Sequence, residues 1–168
     1  MLRRPHPEDA QAIFEAYAQD PEVVRYLTWR PHHHLEETVA MVARALEDWE
    51  AGRTFRWVVV RRREDRAIGM VELRPDGHRL ELGYVLARRY WNRGYMTEAV
   101  QAVVTWALEQ PGIYRVWAVV DVENRASARV LEKSGMRLEG VLRRWSVHPN
   151  VSRAPRDCLC YSAVRVED

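Results

Sequence analysis

A strand that runs directly into a basic, glycine-containing turn and then a helix is the feature that most restricts this chain. Leu80–Ala87 has the apolar character of a strand, and Tyr95–Glu109 has the spacing of an amphipathic helix that Pro111-Gly112 terminates. Between them stand Arg88, Arg89, Arg93 and Gly94. The first turn of a helix carries backbone N–H groups without helical partners, and its dipole favours negative charge there. A glycine lets the backbone come close to a phosphate. The segment therefore reads as an anion site at a helix start. Its chemistry does not say which anion, and a solvated loop carrying a glycine is the competing reading.

The rest of the chain supplies a framework for that turn. Glu8–Gln19 reads as a helix, with Pro7 near its start and Ala12, Ile13, Ala16 and Tyr17 on one face. Pro21 ends it, and Glu22–Leu27 forms a short helical turn. Leu35–Ala51 is a stronger helix, with Leu35, Val39, Val42, Ala43, Leu46 and Trp49 at helical spacing and Gly52 as its stop. The period then changes. Thr54–Arg62 and Ala67–Arg74 read as strands around a Glu64-Asp65 turn. Asp76-Gly77 signals a hairpin into a third strand at Arg79–Ala87. Further on come a strand at Arg115–Val122, a helix at Arg125–Ser134 stopped by Gly135, and two closing strands at Met136–Val147 and Asp157–Val166. This order predicts a mixed sheet with helices packed on it, an α/β (α+β) fold. No repeat or linker interrupts it, so residues 1–168 read as a single domain. Only Leu2–Arg4 is available for a strand before the first helix.

Charge and hydropathy exclude some classes of function. The formal charge is only +2 across 168 residues, with both signs interspersed, so no basic surface for nucleic acid is expected. No apolar stretch approaches the roughly 20 residues that span a bilayer. The start, Met1-Leu2-Arg3-Arg4-Pro5-His6, lacks the apolar core of a signal peptide, which places the expected location in the cytoplasm. Cys158 and Cys160 sit two apart and share a strand face, so they are expected as reduced thiols. Glycine-rich kinase-type and dinucleotide loops are absent, which argues against nucleotide hydrolysis and hydride transfer.

Three segments together carry a resemblance. They are Leu82-Gly83-Tyr84-Val85-Leu86, the run Tyr90-Trp91-Asn92-Arg93-Gly94-Tyr95-Met96-Thr97-Glu98-Ala99, and Asn124-Arg125-Ala126-Ser127 followed by Glu132-Lys133-Ser134-Gly135-Met136. In this order they resemble the GNAT superfamily of acyl-CoA N-acyltransferases, especially the branch that acetylates the N-termini of ribosomal proteins. The resemblance implies a mixed, mostly antiparallel sheet with splayed fourth and fifth strands and helices on both faces. It implies acetyl-CoA as acetyl donor, with its pantetheine arm lying between those strands as an added strand. Backbone groups of Val85, Leu86 and Ala87 would bond the arm. Amides of Arg93, Gly94, Tyr95, Met96 and Thr97 would take the pyrophosphate, and the Asn124 side chain would anchor the arm from the far side. Two features, the loop and the acid position, depart from the commoner family pattern. Trp91 and Met96 flank the loop, the Met96 form being usual in the ribosomal-protein branch. Leu131 stands where many members carry a tyrosine that protonates the leaving thiolate, so that acid does not carry over.

Acetyl transfer to an amine needs a deprotonated amine, a polarised carbonyl and a stabilised thiolate. In the resembling branch a serine at the Ser127 position serves the thiolate. The competing reading is that Ser127 caps its helix. Glu81, with Glu72 nearby on the central strands, is a candidate base acting through water, and His148 is a second candidate, since histidine titrates near neutral pH. Glu81 as a solvated side chain and His148 as a surface loop residue are the ordinary alternatives. No metal is expected. His32-His33-His34 reads as a polar segment leading into a helix, which borders the substrate groove in the family. Trp29, Trp57, Trp91, Trp106, Trp117 and Trp145 read as core or pocket wall, and Arg61-Arg62-Arg63 as a solvated hairpin. The expected function is transfer of acetyl from acetyl-CoA to a primary amine in a ternary complex. The branch favours a protein N-terminal α-amine, with a small-molecule amine or a non-catalytic acyl-CoA sensor as alternatives. The short N-terminal edge, together with the family's habit of dimerising, suggests a homodimer.

Overall fold

A computed structural model describes residues 1–61 and 64–166, so Arg62 and Arg63 of the arginine run lie outside the described residues. The sheet comprises β1 (Leu2–Arg3), β2 (Phe55–Val60), β3 (Ala67–Asp76), β4 (Arg79–Leu86), β5 (Arg115–Asp121), β6 (Arg137–Ser146) and β7 (Arg156–Val164). The helices are α1 (Asp9–Ile13), α2 (Pro21–Val24), α3 (Leu35–Glu50), α4 (Tyr95–Glu109) and α5 (Arg125–Lys133). The seven strands run in the order β1-β2-β3-β4-β5-β7-β6. All neighbours are antiparallel except β4 and β5, which α4 connects as a parallel pair. Five consecutive residues of β3, Ala67 to Val71, are buried, so both faces of the sheet centre are covered. α1 and α4 both pack on that strand.

Several elements differ from their expected form. The first helix is not one α-helix. α1 passes at Phe14 into a π-helical turn, Phe14–Ala18. The wider turn lets Ile13, Tyr17 and Ala18 all reach the core, each at most 1% exposed. The N-terminal strand does form. Leu2 pairs with Val59 and Arg3 with Val58, and the terminal ammonium donates to the Val60 carbonyl at 3.0 Å. Arg3 also forks onto Asp9 with two 2.7 Å bonds, which locks the strand to α1. β1, two residues long, is thus the edge strand on that side of the sheet. Exposed apolar side chains collect at the opposite edge, on and just after β6: Leu138, Val141, Trp145 and Val147. Register shifts at Leu138/Gly140 and Leu142/Ser146 interrupt that edge strand. Trp106 and Trp145, expected as core or pocket wall, are about half exposed. His33 and His34 donate backbone N–H bonds to Glu37, and His32 Nδ1 lies 2.7 Å from Thr38 Oγ1, so the histidine run organises the start of α3.

The decisive feature lies at the sheet centre. β4 and β5 are bonded only at Arg79–Arg115, Leu80–Val116 and Glu81–Trp117. Beyond Glu81, β4 stays with β3 through Leu86, and β5 stays with β7 through Asp121. The two strands part and leave a V-shaped opening with unpaired backbone on its walls.

Candidate active site

A cleft of about 830 Å³ occupies this opening, lined by the end of β4, the first turns of α4, one side of α5 and the segment around α2. The direction of each backbone group on the β4 wall follows from the ladder. The Ala87 N–H donates to the Ile68 carbonyl at 2.8 Å, and the Ala87 carbonyl accepts from Tyr90 at 2.9 Å. Opposed residues of an antiparallel pair alternate in direction. Val85 and Gly83 therefore turn their polar groups toward β3, as Ala87 does, while Tyr84 and Leu86 face the opening. The Leu86 carbonyl is taken by the Trp91 indole N–H at 2.7 Å. The Ala87 N–H is taken by Ile68, and the backbone polar groups of Val85 turn toward β3, although Val85 and Leu86 both line the cleft. The groups left for a ligand are both of Tyr84 and the N–H of Leu86.

The turn into α4 is built as expected. Glu98 donates the first helical bond, to the Gly94 carbonyl, and no side chain caps the helix. The N–H groups of Tyr95, Met96 and Thr97 are consequently without helical partners. Gly94 has φ +80°, and a Cβ there would meet nothing within 4 Å. Its backbone conformation, not crowding, calls for glycine, and the missing side chain leaves the approach open. Gly94, Tyr95, Met96 and Thr97 line the cleft, whereas Arg93 does not. Arg88 is held by Asp20, the cap of α2, at 3.0 Å.

On the far wall the helix start settles the reading of Ser127. Asn124 is the N-cap of α5, and its Oδ1 accepts the Ser127 N–H at 3.2 Å. Ser127 is therefore inside the helix and its hydroxyl is free of capping. That hydroxyl lies 2.6 Å from Tyr84 Oη, and Tyr84 also donates to the Ser127 carbonyl at 3.0 Å. Burial pushes the Tyr84 phenol well above its ordinary pKa, with the Ser127 bond opposing in part. Tyr84 is a site residue that the sequence reading missed. The available signal was strand alternation, which sets it one residue past Gly83 on the wall of the opening. Leu131 is fully buried and offers no acid, and Asn124, Ser127 and Tyr84 all line the cleft.

The two candidate bases are not brought beside Ser127. Glu81 stands on the last bonded rung, opposite Trp117 and 3.3 Å from Arg74, and Glu72 is bonded to Arg56 at 2.8 Å. Neither lines the cleft. By alternation Glu81 lies on the sheet face opposite the Tyr84 side chain. His148 is not a surface residue. It is 5% exposed, with Nε2 at 3.8 Å from Cys158 Sγ and 3.7 Å from Asp121 Oδ2. Asn150 donates to the carbonyls of Val24 and Trp29 at 2.8 and 2.7 Å, tying the β6–β7 connection to the segment after α2. Both cysteines are unbridged and buried. Among the described residues, no helix is long and apolar enough to cross a membrane.

Residues 1–137, from β1 through α5, match the family described as acetyltransferase (GNAT) domain. The uncharacterized N-acetyltransferase YoaA of Bacillus subtilis (strain 168) is 32% identical over 168 residues, covering 98% of this chain and 93% of that protein. The crystal structure of a GNAT-family acetyltransferase from Bacillus anthracis shares the fold with a TM-score of 0.83 at 26% identity, over 98% of this chain and 93% of that one. The ribosomal-protein-S5-alanine acetyltransferase from Vibrio fischeri gives a TM-score of 0.82 at 24% identity, over 98% of this chain and 92% of that one. With the parted β4–β5 pair and the uncapped start of α4 already in place, the chain belongs to the GNAT family and is an acetyltransferase.

Proposed function

We propose that this enzyme transfers acetyl from acetyl-CoA directly to a primary amine, and that the amine is the α-amine of a protein N-terminus. The observation that carries the reading is the opening between β4 and β5, which leads from the free donors of α4 past Tyr84 to the Ser127 hydroxyl. The free groups of Tyr84 and Leu86 bond the amides of the pantetheine arm as an added strand would. The N–H groups of Tyr95, Met96 and Thr97 take the pyrophosphate. The Ser127 hydroxyl donates to the sulfur as negative charge develops there. Glu81 receives the amine proton through water from the opposite face of the sheet. The fold of the Vibrio fischeri ribosomal-protein acetyltransferase and the Trp91/Met96 form of the turn support a protein N-terminus as acceptor.

The test is thiol release from acetyl-CoA with alanine- and serine-starting peptides, spermidine and free amino acids as acceptors. The expected result is turnover on the peptides at kcat/KM at least tenfold above the small amines. Equal or greater turnover on spermidine or an amino acid would contradict the acceptor class. The base is tested separately. Glu81→Gln should cost about 100-fold in kcat/KM. His148→Ala should lower the melting temperature and leave kcat/KM within about twofold of wild type. A Glu81→Gln variant with kcat/KM within about twofold of wild type would exclude Glu81 as the base.

A further inference from the structure

We propose that Tyr84 is a positioning residue, which turns the Ser127 hydroxyl proton onto the leaving sulfur. The proposal rests on the reading of Ser127 given above. Two hydroxyl groups 2.6 Å apart share two hydrogens, and the Ser127 carbonyl, 3.0 Å from Tyr84 Oη, offers one of them a second acceptor. Only two arrangements satisfy the pair. In one, Ser127 donates to Tyr84 and Tyr84 donates to the Ser127 carbonyl, so no hydrogen points into the cleft. In the other, Tyr84 donates to Ser127 Oγ, and the Ser127 hydrogen is released toward the cleft. Negative charge on sulfur selects the second, and a bond accepted at Oγ strengthens the bond that Oγ–H donates.

No proton crosses between the two residues in this scheme. The amine forms its bond to the acetyl carbon, the carbon–sulfur bond breaks with its electron pair on sulfur, and the thiolate departs hydrogen-bonded to Ser127. Burial keeps the Tyr84 phenol protonated throughout, as a fixed donor requires. The device stands in for the acid that Leu131, fully buried, does not provide. It uses β4 and α5, the two walls of the cleft, so it also joins them across 43 residues of chain.

The experiment is single-turnover release of thiol from bound acetyl-CoA, with hydroxylamine as a small acceptor that needs no recognition. Ser127→Ala should slow release about 100-fold. Tyr84→Phe should slow it about tenfold, with the dissociation constant for acetyl-CoA within about twofold of wild type. The double variant should be no slower than Ser127→Ala, because Tyr84 acts only through that hydroxyl. Multiplying effects in the double variant would overturn the proposal. So would a Tyr84→Phe variant at full rate but with weaker acetyl-CoA binding and a lower melting temperature, the behaviour of a mere strut. A Ser127→Ala variant at the wild-type rate would instead overturn the role of Ser127 itself, whatever Tyr84→Phe does.

Discussion

Replacing Asp121 by alanine should cost about 3–5 kcal/mol of folding stability, the range for breaking a buried ion pair from one side. The Asp121 side chain is fully buried at the end of β5. Its Oδ2 accepts from Arg156 Nε at 2.5 Å and its Oδ1 from the Glu123 N–H at 2.9 Å. Its carbonyl accepts from the Asn124 N–H at 2.8 Å. One residue thus closes the turn that sets the Asn124 cap and, through it, the position of Ser127. Alanine leaves the Glu123 N–H without a partner and Arg156 with Glu123 alone. Burial pushes the Asp121 carboxyl up, but the Arg156 guanidinium and the Glu123 N–H outweigh it and hold the pKa below the ordinary value. A folded-state pKa below the unfolded one gives stability that is present above the unfolded pKa, near 4, and lost as pH falls through the folded value. Glu139, held at about 2 mainly by Arg115 and Ser162, titrates in the same window. The contribution of Asp121 is therefore the difference between wild type and variant in urea titrations at pH 7 and pH 3. The gap should narrow at the lower pH. A loss below about 1 kcal/mol at pH 7 would contradict the assignment.

Gly69→Ala should be nearly as damaging, and should weaken acetyl-CoA binding as well. A Cβ at this position would stand 2.5 Å from the Val85 carbonyl oxygen and 3.2 Å from the Leu86 Cα, both backbone atoms. The contact lies where β4 must hold to β3 while it parts from β5. Relief requires β4 to move into the cleft, carrying the free groups of Tyr84 and Leu86 with it. The expected cost is about 3 kcal/mol, the upper end for overpacking, with at least a tenfold rise in the dissociation constant for acetyl-CoA. Gly83→Ala is the control. Its Cβ would meet Glu72 Oε1 at 2.9 Å, the far end of a flexible side chain, so its cost should be about 1 kcal/mol or less. Equal effects of the two substitutions would show that the Val85–Gly69 contact does not shape the cleft.

These residues also show where sequence reading stops. The start of α4 was legible because its signals are local: a strand, basic residues, a glycine and a helical period within one run of chain. The parting of β4 and β5 was not visible in either strand, since each continues to pair normally with its other neighbour, and it came only from the family resemblance. Ser127 suits an N-cap by residue type, but the structure gives that place to Asn124, three residues earlier. The Tyr84–Ser127 bond joins residues 43 apart and has no local signature. Glu81 is a candidate for its carboxylate and its place on a central strand, and His148 for its imidazole and its place in the loop between the last two strands. Whether such a residue lines a cleft depends on which side of the sheet it takes and on what covers it. Here Glu81 falls on the opposite face from Tyr84, and Cys158, Asp121 and Tyr26 pack around His148. The two-residue β1 is too short for any pattern. It exists because the terminal ammonium and the Arg3–Asp9 fork hold it.

Amide hydrogen exchange with and without saturating acetyl-CoA tests the central claim most directly. If the donor lies in the opening with its pyrophosphate at the start of α4, the amides of Tyr84, Leu86, Tyr95, Met96 and Thr97 should exchange more slowly once it binds. The amides of β6 should be unaffected. Unchanged exchange at Tyr84 and Leu86 at saturation, or protection confined to another part of the chain, would contradict the account.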